Sequence, residues 1–66
     1  QARFAGSDRQ GRGRLVAALR AGPVAVAEVA AAAGWPDDPA RAAAVAEGLV
    51  ADGLAVRTRS GRLRLP

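Results

Sequence analysis

Cysteine and histidine are both absent from this chain of 66 residues. Without cysteine there is no disulfide, no thiolate zinc site and no iron–sulfur ligand, and without histidine the commonest general base and metal ligand is missing. Tyrosine and methionine are absent too, and the aromatic content is one Trp and one Phe. No apolar run approaches the roughly 20 residues needed to span a bilayer. These gaps exclude most enzyme classes and leave a small domain near the size at which a single hydrophobic core only just outweighs chain entropy. A deep substrate cleft is not expected. The chain opens on Gln1 rather than Met, so it reads as a fragment of a longer cytoplasmic protein, without a signal peptide.

The charge is more informative. Lys+Arg is 10 against Asp+Glu 6, a net charge of +4, and every basic residue is arginine. An excess of this sign favours an anionic partner, nucleic acid first among them. Abundant Ala, Arg, Gly and Pro together also fit codon bias in a GC-rich genome, so the positions of the arginines must decide.

Residues 1–6 carry no hydrophobic period and read as a linker or junction, and 7–66 as one domain. Ser7 and Gln10 form an S-x-x-Q capping box, Asp8 favours the positive helix end, and Gly22-Pro23 closes the helix. Leu15, Val16, Ala18 and Leu19 share its apolar side. Val24-Ala25 can form a strand stub before a second helix with Val26, Val29, Ala30 and Ala33 at i, i+3, i+4, i+7. Gly34 ends that helix. Asp38 is placed to cap a third helix with Pro39 at its first position, running to Asp52 with Ala42, Val45, Ala46, Leu49 and Val50 inward, and Gly53 follows as the left-handed cap.

From Leu54 onward the period drops to two. Leu54, Val56 and Thr58 alternate with Ala55, Arg57 and Arg59, and Leu63 and Leu65 alternate with Arg62 and Arg64. Ser60-Gly61 suits a two-residue hairpin turn. Helix, strand stub, helix, helix, hairpin is the order of an α+β winged helix-turn-helix, with the hairpin as wing.

If Ser60-Gly61 is the turn, Arg59 faces Arg62 and Arg57 faces Arg64, crowding four guanidinium groups onto one face. Like charges opposed across strands are destabilising, and a phosphate backbone would relieve them. A solvated outer face, or a contact with an acidic protein surface, fits the same residues. Arg9, Arg12 and Arg14 crowd the start of the first helix, where positive charge opposes its dipole and an anion could bind. Gly11 and Gly13 weaken that helix, which implies a close neighbour, DNA or protein. Arg41 is the one basic residue of the third helix, whose outward positions Ala40, Ala44, Glu47 and Ala51 offer nothing to base edges. Sequence-specific readout is therefore not expected. Asp37-Asp38 reads as helix capping rather than as a catalytic pair. Phe4, Gln10 and Trp35 are candidate contacts with a neighbouring domain, and Trp35 equally a core residue.

The run Phe4-Ala5-Gly6-Ser7-Asp8-Arg9-Gln10-Gly11-Arg12-Gly13-Arg14-Leu15 resembles the segment that follows the iron–sulfur cluster loop in actinobacterial A/G-specific adenine DNA glycosylases. Ala51-Asp52-Gly53-Leu54-Ala55-Val56 and Gly61-Arg62-Leu63-Arg64-Leu65-Pro66 look like the end of their short C-terminal domain. The resemblance implies a parent enzyme that flips adenine mispaired with 8-oxoguanine from the duplex and cleaves its glycosidic bond. It also implies that the catalytic carboxylates, the helix-hairpin-helix and the cluster cysteines lie upstream, leaving this segment without a catalytic residue, metal or cofactor of its own. Relatives with a Nudix-like C-terminal domain have a larger fold than this chain can form. On this reading the partners are duplex DNA and the upstream catalytic domain, with no membrane, and the protein is expected to be a cytoplasmic, nucleoid-associated monomer. The alternatives are an interaction module packed on the catalytic domain without touching DNA, and a winged-helix transcription regulator.

Overall fold

A computed structural model describes residues 8–66. The chain forms helix α1 (Asp8–Ala21), strand β1 (Val24–Ala25), a 3-10 turn (Val26–Glu28) leading into helix α2 (Val29–Ala33), helix α3 (Pro39–Ala51) and strands β2 (Val56–Arg57) and β3 (Arg62–Arg64). The strands make one antiparallel sheet in the order β1-β3-β2. This is an α+β arrangement with the element order and sheet of a winged helix. Ser7, and with it the proposed capping box, lies outside the described residues, as does Phe4.

Each boundary has a local cause. α1 stops before Gly22-Pro23, since proline cannot continue a helix and disfavours helical backbone at the residue before it. α2 ends on Gly34 at φ 86°, a left-handed conformation that only glycine adopts cheaply. α3 begins as expected, with Pro39 in its first turn and the Asp38 side chain accepting from the Arg41 backbone N–H at 3.2 Å.

The core is built by one pillar from each layer. Leu15 of α1, Leu49 of α3 and Leu63 of β3 are the largest fully buried side chains, and Leu19, Val24, Val29, Ala33, Trp35, Ala42, Val45, Ala46 and Ala55 fill the space between them. No polar or charged side chain is buried among the described residues. β3 is central because Leu63 reaches this core while its backbone pairs on both sides, Val24 with Leu63 and Arg57 with Leu63.

Two sequence expectations fail here. Val26 does not face the core: it is 51% exposed, because the chain enters α2 through a 3-10 turn and only Val29 and Ala33 are buried. The hairpin register is also shifted. Thr58 N–H donates to the Arg62 carbonyl at 2.8 Å, and Gly61 N–H donates to the Thr58 carbonyl at 3.2 Å. The loop is therefore Arg59-Ser60-Gly61, closed by Gly61 at φ 83° and by the Thr58 hydroxyl, which accepts from Arg62 N–H at 3.0 Å. Three-residue loops of this kind end on a left-handed glycine. A slip of one residue moves every β2 side chain to the other face of the sheet. Ala55 is thus buried and Leu54 is 46% exposed, the reverse of the expected alternation.

Candidate nucleic-acid interface

The slipped register takes apart the four-arginine face. Val56 pairs with Arg64, and Arg57 with Leu63, and residues directly opposed across a ladder share a face. Arg57 therefore lies on the core side at the sheet edge, where it reaches over to α3 and pairs with Glu47. Arg62 and Arg64 share the outer face with Val56 and Thr58, and Arg59 sits in the loop. All three are exposed. Arg64 donates to the Leu65 carbonyl at 2.9 Å, and none of the three pairs with an acid among the described residues.

Two further arginines named from the sequence are held within the domain. Arg12 of α1 pairs with Asp52 beyond the end of α3 at 2.6 Å. The Arg41 Nε donates to Asp8 at 2.9 Å, and its guanidinium lies 4.2 Å from the centroid of the Trp35 ring. Arg41 thus joins the starts of α1 and α3 to the loop between α2 and α3. Arg14 extends across Gly34. Arg9 and Arg20, with Arg12, border a shallow groove on the outward side of α1 floored by Gly13, Val16 and Ala17.

Trp35 is placed in the core, 8% exposed, and not on a surface open to a neighbouring domain. Its ring lies against Gly11, where a Cβ would stand 2.6 Å from Cζ2 and 2.8 Å from Cζ3. The close neighbour expected at Gly11 is therefore the domain's own tryptophan. Among the described residues there is no such neighbour at Gly13, where a Cβ would meet nothing within 4 Å. Gln10 is half-buried on α1 and already partnered within the chain.

The outward side of α3 is bare, as expected. Ala40, Ala43, Ala44, Glu47 and Ala51 are exposed along it, and none offers a hydrogen-bond donor to a base edge. No group of acids that could hold a metal occurs among the described residues, and no described helix is long and apolar enough to cross a membrane. What the surface offers chemically is fixed positive charge, at the outer hairpin and along α1, around a helix that cannot read sequence.

Comparison with known proteins places this geometry in a family context. The chain is 41% identical over 63 residues to the adenine DNA glycosylase of Mycobacterium tuberculosis, a match that covers 96% of this chain. It is 38% identical over the same span to the adenine DNA glycosylase of Mycolicibacterium smegmatis. No protein-family profile and no solved structure matches it. The chain spans only 21% and 22% of the length of these relatives. The resemblance carried by Phe4 to Leu15 and by the chain's final residues is borne out: the chain is a homologue of a C-terminal fragment of adenine DNA glycosylases.

Proposed function

We propose that this chain is a non-catalytic C-terminal domain of an adenine DNA glycosylase acting on adenine opposite 8-oxoguanine, and that it adds sequence-independent grip on duplex DNA. The observation that carries this reading is the contrast between two surfaces. The outer hairpin presents Arg59, Arg62 and Arg64 without acidic partners, whereas α3, the reading element of a winged helix that recognises sequence, presents alanines and Glu47. Exposed guanidinium groups on a narrow ribbon suit phosphate oxygens, whose contacts position a protein on DNA without selecting a sequence. The expected face is smaller than the four-arginine cluster of the sequence reading, since Arg57 is engaged by Glu47. Because the chain has no cysteine, an iron–sulfur cluster of the parent enzyme would be ligated outside it.

A salt titration of duplex binding tests this. Each phosphate contact contributes about 0.9 to the slope of log affinity against log salt. Arg59→Ala, Arg62→Ala and Arg64→Ala should each lower the slope by about one unit, uniformly across duplex sequences. Arg57→Ala should leave it nearly unchanged. Binding without salt dependence, or equal losses from Arg57→Ala and Arg62→Ala, would overturn the assignment.

A further inference from the structure

α1 has a second stripe on its outer side, which meets the core only at its margin through Val16. Arg9, Arg12, Gly13, Val16, Ala17 and Arg20 recur at helical spacing on the side turned away from Leu15 and Leu19, and together they line one groove. Its composition is unlike that of a solvated helix face. The floor is small and apolar, with Val16 half-buried and Ala17 exposed, while the rim is arginine at both ends. Arg12 has Asp52 as a partner, but Arg9 and Arg20 pair with no acid among the described residues.

Gly13 is the telling position. Glycine weakens a helix interior relative to any ordinary residue. The glycine at position 11 is required by Trp35, but a Cβ at position 13 would meet no described residue within 4 Å, and the backbone there has no positive φ. Among the described residues, nothing asks for the missing side chain. A second backbone passing close over the helix would ask for it, because helices approach closest where the side chains between them are smallest.

We propose that this face of α1 is the docking surface for an acidic amphipathic helix of the preceding domain of the same polypeptide, seated over Gly13 with its carboxylates toward Arg9 and Arg20. The apolar floor favours protein over DNA, since Val16 and Ala17 give a phosphate backbone nothing, whereas a helix with a small apolar ridge fills the groove. Arginine at both ends selects acidic flanks. The relatives supply the tether: this chain matches a C-terminal fragment covering 21% of their length, so the rest of such a polypeptide precedes α1.

The test uses the full-length polypeptide carrying a benzophenone amino acid in place of Ala17. Irradiation should give an intramolecular crosslink that peptide mapping assigns to an acidic helix upstream of this domain. Gly13→Leu, whose Cβ would meet no described residue within 4 Å, should reduce the yield, with circular dichroism of the variant confirming that it folds. Paired Arg9→Glu and Arg20→Glu should reduce it about tenfold, as like charges then meet across the contact. Crosslinking to added duplex DNA instead, no crosslink, or a yield indifferent to these variants would overturn the proposal. The hairpin variants Arg59→Ala, Arg62→Ala and Arg64→Ala should leave the crosslink intact, so docking and phosphate binding fail separately.

Discussion

Substituting the two glycines of α1 by alanine should have unequal effects on stability, a gain at Gly13 and none at Gly11. The changes are chemically identical and two residues apart on one helix. At Gly13 the new methyl enters open space, so the gain is the ordinary difference in helix propensity, up to about 1 kcal/mol. At Gly11 it would collide with Cη2 of the Trp35 ring and stand 2.6 Å from Cζ2 and 2.8 Å from Cζ3, against the roughly 3.5–4.0 Å that carbon contacts prefer. The ring would have to retreat by more than about 1 Å, yet it is 8% exposed and its other contacts include the Arg41 guanidinium. Overpacking of this kind costs about 1–3 kcal/mol. Set against the same propensity gain, Gly11→Ala should be neutral to destabilising by about 2 kcal/mol. The gap between the two variants, about 1–3 kcal/mol, isolates the ring contact. In a domain of this size each kcal/mol moves Tm by about 4–8 °C. Thermal and urea unfolding followed by circular dichroism gives the stabilities, and the fluorescence of the single tryptophan reports the local environment. Trp35→Phe should relieve much of the Gly11→Ala penalty, because a smaller ring needs less room. Equal stabilisation by Gly11→Ala and Gly13→Ala would refute the packing of Trp35 on Gly11.

Two other substitutions test the frame that holds the hairpin. Leu63→Ala empties a fully buried site on the central strand and should cost about 2–5 kcal/mol, enough to leave much of a domain of this length unfolded in a urea titration. Asp38→Ala removes the acceptor for the Arg41 N–H at the start of α3 and should cost about 1 kcal/mol, with Asp38→Asn recovering most of it in the same assay.

The helices were legible because their punctuation is strong. Asp38-Pro39, Gly34 and Gly53 carry backbone requirements that few other residues meet, and the structure uses each where the sequence marked it. The second helix is only half legible: alanine is compatible with either side of a helix, so spacing alone points Val26 inward, whereas the 3-10 entry turns it outward. The hairpin misled for a sharper reason. Ser60-Gly61 satisfies a two-residue turn, but the Thr58 hydroxyl closes a three-residue loop by accepting from Arg62 N–H and lying 3.0 Å from the Ser60 hydroxyl. Period-two alternation around Ala55 and Arg57 gave no warning, since a small residue and a long amphipathic one can each face inward at a sheet edge. The candidate site was correspondingly legible in kind, arginine with no base-reading partner on α3, but not in arrangement. Long-range pairs such as Arg12 with Asp52 and Arg57 with Glu47 depend on how the elements pack, which no local pattern encodes.

The most direct test of the account is to titrate the isotope-labelled chain with a short duplex of arbitrary sequence at low salt and follow backbone amide resonances. Perturbations should concentrate on residues Arg59 to Arg64, spare Ala40 to Ala51, and fade as salt is raised. Perturbations centred on α3, or a hairpin unmoved at saturating duplex, would contradict it.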